Sequence, residues 1–328
     1  MSKLVTIYGG SGFVGRYIAR RMAKQGWRVR VAVRRPNEAL FVKPYGAVGQ
    51  VEPILCNIRD DVSVRDVMLG ADAVVNCVGV LNSIGKNNFD AVHHDGAGRI
   101  ARIATEQGVA QMIHLSAIGA DADSNSEYAK TKAEGEADVI AAFPNAVVLR
   151  PSVIFGPEDE FFNRFAGMTR FGPILPITGG DTRFQPVFVD DVAAAAEKAI
   201  LGQAQAGVYE LGGPEVETLR ESINRMLGIV QRRRAVINLP FGIAYLQASL
   251  FDFIQSMSGG LIKAPLTRDQ VRSLRHDNVV AQGAKGFEAL GITPTAMEAI
   301  LPDYLWRFRN HGQYAAIQDS AKNLRSNG

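Results

Sequence analysis

The sequence of 328 residues predicts an α/β fold in which helices cover both faces of a doubly wound parallel sheet. Three observations predict this fold class. Short β-branched runs alternate with helical patterns through the first half of the chain, and a glycine-rich turn follows the first run. The run at residues 73–78 is almost continuously apolar, as expected for a parallel strand that is buried on both faces.

The predicted elements follow one another in a repeated βαβ order over residues 4–149. Strands are expected at residues 4–8, 28–33, 51–55, 73–77, 112–115 and 147–149. Helices are expected at residues 13–25, 93–107 and 128–143. Repeated βαβ units build a parallel sheet, so we expect these strands to form the core of one large domain.

The pattern becomes less regular after residue 150. A helix is expected at 161–171, a strand at 187–189, and an alanine-rich helix at 190–201 that begins with two aspartates. From residue 232 the chain changes in character, with three consecutive arginines followed by an apolar segment. We therefore predict a nucleotide-binding domain at 1–231 and a smaller C-terminal substrate or docking region at 232–328. The segment 158–185 could belong to either one.

The composition is that of an ordinary globular chain, with 47% hydrophobic and 21% charged residues, and it excludes disordered and fibrous proteins. Its two cysteines are too few for a secreted disulfide scaffold, so we expect a reducing compartment. We find neither a signal-peptide pattern nor an apolar stretch of about 18 residues, the length needed to cross a bilayer. These features predict a soluble or peripheral protein.

The charge of the chain is unevenly distributed. The net charge is only +3, but residues 1–50 contain ten Lys or Arg and a single acid. This positive end could attract an anionic small ligand. Nucleic-acid binding is not expected, because the basic residues are not interleaved with aromatic ones and no known binding module is present.

A glycine motif follows the first predicted strand and opens the first helix. Gly9 permits a tight turn, Gly12 lets a pyrophosphate approach the backbone, and Gly15 lets the helix pack on the strand. Phe13 and Val14 begin the helix, whose free N–H groups and dipole favour an anion. The motif and its βαβ context predict a Rossmann-like dinucleotide site.

The residues after the next strands predict which dinucleotide binds. Arg34 and Arg35 stand where an NAD-binding chain has an acidic residue for the ribose 2′-hydroxyl. Arginines suit a 2′-phosphate instead, so the predicted cofactor is NADPH. Asn57, Asn76 and Gly79, at the ends of the third and fourth strands, are expected to line the adenosine half.

Candidate catalytic residues lie at and after the fifth predicted strand. Tyr128 and Lys132 are four residues apart, hence on one helical face. A lysine there could bind the nicotinamide ribose and lower the pKa of the tyrosine, so that the phenol could exchange a proton with a carbonyl or alcohol. Ser116 at the strand end could orient a carbonyl, or simply satisfy the backbone.

No metal site is predicted. His93 and His94 are adjacent on a predicted helix, so their side chains should diverge, and the remaining histidines are isolated in the sequence: His114, His276 and His311.

One segment of the C-terminal region is strongly amphipathic. Beyond Pro240 a helical stripe contains only large apolar residues: Ile243, Leu246, Leu250, Phe253, Ile254 and Met257. The opposite side is polar: Ser249, Asp252, Gln255 and Ser256. Next to the arginines at 232–234, the stripe could dock on a membrane surface or a partner. Equally, it could face the core of the protein itself.

Several motifs resemble the extended and atypical short-chain dehydrogenase/reductases. They are the glycine motif, Asn76-x-x-Gly79, Tyr128-x-x-x-Lys132 and the run that begins Arg150-Pro151-Ser152. The stretches at 150–163, 185–193, 265–271 and 291–295 are also similar to the dehydrogenase-like accessory subunits of respiratory complex I, in their bacterial branch.

The resemblance implies an NADPH-holding subunit without a known turnover, in contact with other subunits of complex I. It would lie near the quinone-access region, in the cytoplasm on the inner face of the cell membrane. Phe13, Val14 and Pro151 would join the cofactor site. The strand end that is rich in hydroxyls in active reductases has only Ser116 here, so its catalytic role would be vestigial. The main alternative is a free-standing NADPH-dependent reductase or epimerase/dehydratase, and a more remote one is a redox-sensing regulator built on the same fold.

Overall fold

The fold is known from a computed structural model that describes residues 2–83, 85–258, 264–310 and 312. Its centre is a seven-stranded sheet in the order β11-β6-β5-β4-β1-β2-β3, and all neighbouring pairs are parallel. The strands of this sheet are β1 Leu4–Tyr8, β2 Arg28–Val33, β3 Val51–Leu55, β4 Ala73–Asn76, β5 Gln111–Leu115, β6 Val147–Pro151 and β11 Gly207–Leu211.

Helices cover both faces of this sheet, which confirms the predicted fold class. On one face, α1 Phe13–Lys24 and α6 Val189–Ile200 enclose an apolar core with residues of β1 and β2. On the other, the core lies under α2 Asp61–Met68, α3 Asp95–Glu106 and α4 Glu127–Ala142. Strand order reverses between β1 and β4, so ligands are expected at the carboxyl ends of these strands.

A second lobe is built from later parts of the chain. Its core joins the helices α5 Phe162–Met168, α7 Leu219–Ile229 and α10 Met297–Leu305 to buried residues of three short strands. Its short strands are β7 Ile154–Phe155, β8 Ile174–Thr178, β9 Arg183–Phe184, β10 Val187–Phe188, β12 Glu217–Thr218 and β13 Ala235–Leu239. The segment 158–185 contributes Phe162, Leu175 and Ile177 to this core. The boundary proposed at residue 231 stays a prediction.

The amphipathic segment forms α8 Phe241–Met257, which packs against the short α9 Arg268–Ser273. The contact is small: Ala244 and Ala248 of α8 are fully buried with Val271 of α9. The six large apolar residues of the predicted stripe instead have exposed fractions from 37% at Ile254 to 74% at Leu246. The alternative in which the stripe faces the core is therefore wrong.

The local predictions failed at a few places. The strand expected at 187–189 ends at Phe188, because Val189 already begins α6. A π-helical turn over Asp90–His94 precedes α3, where an uninterrupted helix was expected. The helices α2, α7, α9 and α10, the edge strand β11 and most short strands of the second lobe were not predicted. No helix in the described part of the chain is both long and apolar enough to cross a membrane.

Candidate functional site

The glycine turn between β1 and α1 is sterically closed to side chains. Gly9 has a positive φ of 75°, and a Cβ on it would lie 3.1 Å from the backbone of Cys77 after β4. A Cβ on Gly15 would lie 2.4 Å from the carbonyl oxygen of Gly9, and one on Gly12 3.1 Å from the same atom. The turn therefore requires glycine, as the sequence predicted.

The start of α1 is suited to an anion. Gly12 is the extended N-cap residue, and no side chain caps the helix there. The first N–H groups, those of Phe13 and Val14, therefore point out of the helix end together with its positive dipole. The Arg16 guanidinium donates to the carbonyls of Ser11 and Gly12 at the same end. Glycines against which no Cβ fits and an uncapped helix start together match a dinucleotide pyrophosphate.

The two predicted 2′-phosphate ligands follow β2 directly. Arg34 is exposed and has no hydrogen bond or ion pair to any described residue. Arg35 pairs with Glu38 at 2.9 Å, but both side chains are about two-thirds or more exposed. Exposed ion pairs of this kind are weak, so the Arg35 guanidinium can leave Glu38 and pair with another anion. Neither arginine is buried in the core of the protein, so both can contact a ligand at the surface.

The candidates for the adenosine half differ in their surroundings. The Asn57 side chain accepts from the backbone N–H of Arg59 at 3.2 Å, which closes a turn. Asn76 is buried, donates to Nδ1 of His114 at 3.1 Å and accepts from the Val78 N–H at 3.1 Å. It thereby orders the loop that leads to Gly79. Pro151 is the buried last residue of β6.

Lys132 is the centre of the nicotinamide end. Its side chain is buried, and its ammonium donates to the carbonyl of Leu115 at 3.1 Å. A Cβ on Gly79 would lie 3.7 Å from the same Nζ atom. Burial lowers the pKa of Lys132 to about 8, against the opposing charges of Glu136 and Cys77. The structure thus brings the loop after β4 and the lysine of α4 together.

Tyr128 lies one helical turn before Lys132, with its ring edge against His93 and Phe89 at centroid distances of 5.3 and 5.9 Å. Burial, and then the charge of Asp269, raises the pKa of Tyr128 to about 12. The expectation that Lys132 lowers this pKa is wrong for the described structure. The rise makes the phenolate harder to form, so it disfavours Tyr128 as a general base.

Two buried histidines next to Lys132 were not recognised from the sequence. His93 accepts from the Val80 N–H through Nε2 at 3.0 Å, and its Nδ1 lies 3.3 Å from Oγ1 of Thr131. This fixes the neutral ring with the proton on Nδ1. Burial, together with the Lys132 charge, lowers the pKa of His93 to about 2 and that of His114 to about 3. The burial of His114 could have been predicted from the apolar residues that surround it in β5.

Two buried polar atoms near the end of β5 have no hydrogen-bond partner among the described residues: Nε2 of His114 and Oγ of Ser116. Buried polar atoms are nearly always satisfied, so such atoms indicate a position for a ligand or an ordered water. Ser116 is therefore available at the site, although its predicted role in catalysis stays untested.

His93 and His94 do diverge, as predicted. His94 faces the surface, where Nδ1 lies 3.0 Å from Asp90 and 3.8 Å from Glu134, and Nε2 lies 3.1 Å from Asp138. Partial burial opposes the charged ring, but the hydrogen bond with Asp90 and the neighbouring carboxylates raise the pKa of His94 overall. We interpret this group as a surface ion-pair cluster.

A cleft of about 730 Å³ separates Ser83, the residues 85–90 and α4 from α8 and α9. Most of the residues that line it are polar or charged, with Glu127 and Thr131 on one side and Asp252, Gln255 and Arg272 on the other. Phe89, the aromatic neighbour of Tyr128, also lines it. The C-terminal region therefore combines a polar cleft toward α4 with an apolar outer surface on α8.

Known proteins resemble this chain over most of its length. Residues 5–212 match the model of the NAD dependent epimerase/dehydratase family. The mitochondrial NADH dehydrogenase [ubiquinone] 1 alpha subcomplex subunit 9 of Arabidopsis thaliana is 33% identical over 316 residues, which cover 94% of this chain and 79% of the relative. The mitochondrial NADH-ubiquinone oxidoreductase 40 kDa subunit of Neurospora crassa is 31% identical over 314 residues, which cover 94% of this chain and 80% of the relative.

The fold also matches solved structures. The dTDP-glucose 4,6-dehydratase of Bacillus anthracis, solved in complex with NAD, superposes with a TM-score of 0.69 at 15% identity over 95% of this chain and 98% of that one. At this identity the match shows a common fold. The predicted family resemblance is confirmed by the family model and by the two relatives. The chain therefore belongs to the NAD dependent epimerase/dehydratase family and, within it, to the family of the complex I alpha subcomplex subunit 9 proteins.

Proposed function

We propose that this protein is an NADPH-holding accessory subunit of respiratory complex I with a stabilising role in the respiratory chain. The observation that carries the proposal is that relatives named as complex I subunits align with 94% of the chain, including the C-terminal region outside the family model. The site supports it, because the glycine turn, the helix start and the free Arg34 fit a phosphorylated dinucleotide. Its partners would be the other subunits of the complex.

The preference for NADPH over NADH rests on Arg34 and Arg35. Calorimetry on the purified protein should show tighter binding of NADPH. The double change Arg34→Glu with Arg35→Ala should weaken the binding of NADPH by at least about tenfold, because a charge-assisted contact contributes about 1.5 to 3 kcal/mol. The affinity for NADH should change little. Equal affinities for the two nucleotides in the unaltered protein would contradict the proposal.

The binding is proposed to be structural rather than catalytic, because the strand end carries only Ser116 and the relatives that cover most of the chain are named as complex I subunits. Tyr128→Phe should leave the assembly and activity of complex I unchanged and alter NADPH affinity by less than about threefold, the loss of at most one weak hydrogen bond. An NADPH-consuming activity that disappears in Tyr128→Phe would favour the second candidate, a free-standing reductase or epimerase/dehydratase. The retained Tyr128 and Lys132 pair is the observation that keeps this candidate open.

We further propose that the protein is peripheral on the inner face of the cell membrane, near the quinone-access region of the complex. We use the term docking face for the exposed stripe of α8: Ile243, Leu246, Leu250, Phe253, Ile254 and Met257. Contiguous exposed apolar side chains usually mark an interaction surface. Arg233 is exposed before β13, the strand that leads into α8, and the Arg275 guanidinium lies over the Phe241 ring at 5.3 Å.

These arginines favour an anionic lipid surface as the occupant of the docking face. Two arginines of the predicted basic cluster should contribute less to lipid binding than the sequence predicts. Arg232 donates to the Phe308 carbonyl, and Arg234 donates to the Thr169 carbonyl. Arg233 is therefore the member that remains for headgroups. The apolar stripe, rather than the charge, should supply most of the binding free energy.

Co-sedimentation with phosphatidylcholine vesicles that contain phosphatidylserine tests the docking face. Leu246→Glu with Leu250→Glu should abolish binding while leaving NADPH affinity and thermal unfolding unchanged. Val62→Glu with Leu69→Glu is the matched control, because these side chains are exposed to 64% and 67% away from α8. If vesicles do not bind, but the docking-face variant is lost from purified complex I, the face contacts a protein subunit and the lipid proposal is wrong.

A further inference from the structure

The short helix α9 contacts both α8, which carries the docking face, and the first turn of α4, which carries Tyr128 and Lys132. Its Asp269 carboxylate accepts three hydrogen bonds from the start of α4. Oδ2 accepts from the Ser126 hydroxyl at 2.8 Å and from the Tyr128 N–H at 3.2 Å, and Oδ1 accepts from the Glu127 N–H at 2.8 Å. A carboxylate from 141 to 143 positions away along the chain thus occupies the positive end of α4.

This cap adds to one that α4 already has. The Ser126 hydroxyl oxygen accepts from the Ala129 N–H at 3.3 Å, which is an ordinary N-cap contact. Ser126 also donates its proton to Asp269, and Oγ of Ser273 lies 3.2 Å from the same hydroxyl. Arg272 of α9 donates to the Asn125 carbonyl at 3.1 Å. These contacts of α9 therefore help to set the position of the first turn of α4.

The other side of α9 is fixed to α8. Val271 is fully buried against Ala244 and Ala248. The Arg268 guanidinium pairs with Asp252 of α8 at 3.0 Å, and Arg272 approaches the Tyr245 hydroxyl at 3.4 Å. The small residues bring the backbones of the two helices close together, so a shift of α8 must be transmitted to α9 rather than absorbed by long side chains.

At its far end the path reaches the nucleotide site. The Tyr128 N–H is one of the three donors to Asp269, and Lys132 lies one turn further along α4 next to Gly79. We propose that Asp269 is a positioning residue that couples nucleotide occupancy to the docking face of α8. The nucleotide would order the first turn of α4, Asp269 would transmit this order to α9, and α8 would present its stripe in one orientation. The inference rests on the proposed function for the nature of the two ligands.

Coupling of this kind is reciprocal. If NADPH strengthens docking by some factor, docking must strengthen NADPH binding by the same factor, typically about 5-fold to 150-fold. In the full chain, calorimetry with and without phosphatidylserine vesicles, and vesicle co-sedimentation with and without NADPH, should give one common factor of at least about fivefold. In Asp269→Ala this factor should fall to about one, although each ligand still binds.

The control variant is Asp277→Ala. Asp277 belongs to the same region and forms charge-assisted hydrogen bonds with Arg183 at 2.8 Å, but these do not involve α4. It should retain the full coupling factor. Asp269→Asn, which keeps one oxygen that can accept from one or two of the three donors, should show an intermediate factor. A residue with a merely structural role would lower thermal stability in Asp269→Ala and leave the factor unchanged, which would overturn the proposal.

Hydrogen exchange supplies a readout that needs no membrane. NADPH should slow amide exchange in the peptides of α8 and α9 in the unaltered protein, but not in Asp269→Ala. If the nucleotide does not bind the unaltered protein, the proposed function fails and this inference with it. If it binds and vesicles do not, only the docking proposal fails, and exchange decides the coupling. If both ligands bind independently, or if Asp269→Ala remains fully coupled, the coupling is refuted.

Discussion

The helices α1 and α8 are both amphipathic, but they turn opposite faces toward the protein. In α1 the large apolar residues Val14, Ile18 and Met22 are buried, and Lys24 is exposed. In α8 the buried residues are Ala244 and Ala248, and large side chains such as Leu246 at 74% are exposed. An apolar stripe therefore shows that a helix has a partner surface, and it does not show whether that surface belongs to the same chain.

The difference follows from what each helix can cover. α1 lies across a sheet of seven strands, and the face of the sheet that it covers is a continuous apolar area. α8 packs on a six-residue helix, and only small side chains let their backbones approach. We expect α1 to unfold only with the whole domain, whereas α8 and α9 can open locally at a lower free-energy cost.

The largest expected effect lies in the lobe of α1. In Gly15→Ala the new methyl group would lie 2.4 Å from the Gly9 carbonyl oxygen, so the turn must open. We expect a loss of about 3 kcal/mol in the free energy of unfolding, comparable to overpacking a core, and the loss of NADPH binding. Chemical denaturation and calorimetry measure the two effects.

Gly228→Ala in α7 is the matched control, because its Cβ meets no atom within 4 Å. It should be neutral or stabilising by up to about 1 kcal/mol, since glycine in a helix is unfavourable. If the two variants are equally stable, the tight turn is not as rigid as the structure indicates.

The two faces of α8 provide the next largest effect. Ala248→Glu would bury a charge against Val271 and should destabilise α8 and α9 by about 2 to 3 kcal/mol. Leu250→Glu, two residues further on and 57% exposed, should cost less than about 0.5 kcal/mol. Hydrogen exchange of the α8 amides measures both local free energies. Strong destabilisation by Leu250→Glu would show that the docking face is buried in the free protein.

The effect that is smallest at neutral pH is the contribution of one buried histidine to acid sensitivity. Burial lowers the pKa of His114 to about 3, below its unfolded value near 6.5. The unfolded chain therefore binds a proton that the folded chain excludes, and stability is lost as pH falls from about 6.5 toward 3. One such group contributes a slope of about 1.4 kcal/mol per pH unit within that window.

His114→Asn keeps an acceptor for Asn76 but does not titrate, so the stability of this variant should fall less steeply with decreasing pH. Urea unfolding at several pH values measures the slope. An unchanged slope would show that His114 is already protonated in the folded protein.

Much of the fold was predictable because its signals are local. Strands β1 to β6 of the main sheet follow from apolar runs and the helices α1, α4 and α6 from their periodicity, whereas the edge strand β11 was not predicted. α7 could have been found as well, since Thr218 and Glu221 form a capping box that is visible in the sequence. α2 is harder, because its β-branched valines favour strands, and only the packing of Val64 and Val67 under the sheet overrides that preference.

The nucleotide turn could be read from the sequence because the constraints on Gly9, Gly12 and Gly15 come from backbone atoms within a few residues of each other. The placement of Arg34 after β2 has the same local origin. Two other features depend on the tertiary structure. The contact of Asp269 with the start of α4 joins positions more than 140 residues apart, and no periodicity encodes such a pairing. The outward orientation of the α8 stripe depends on which surfaces the rest of the chain leaves for it, and a helical pattern carries no information about them.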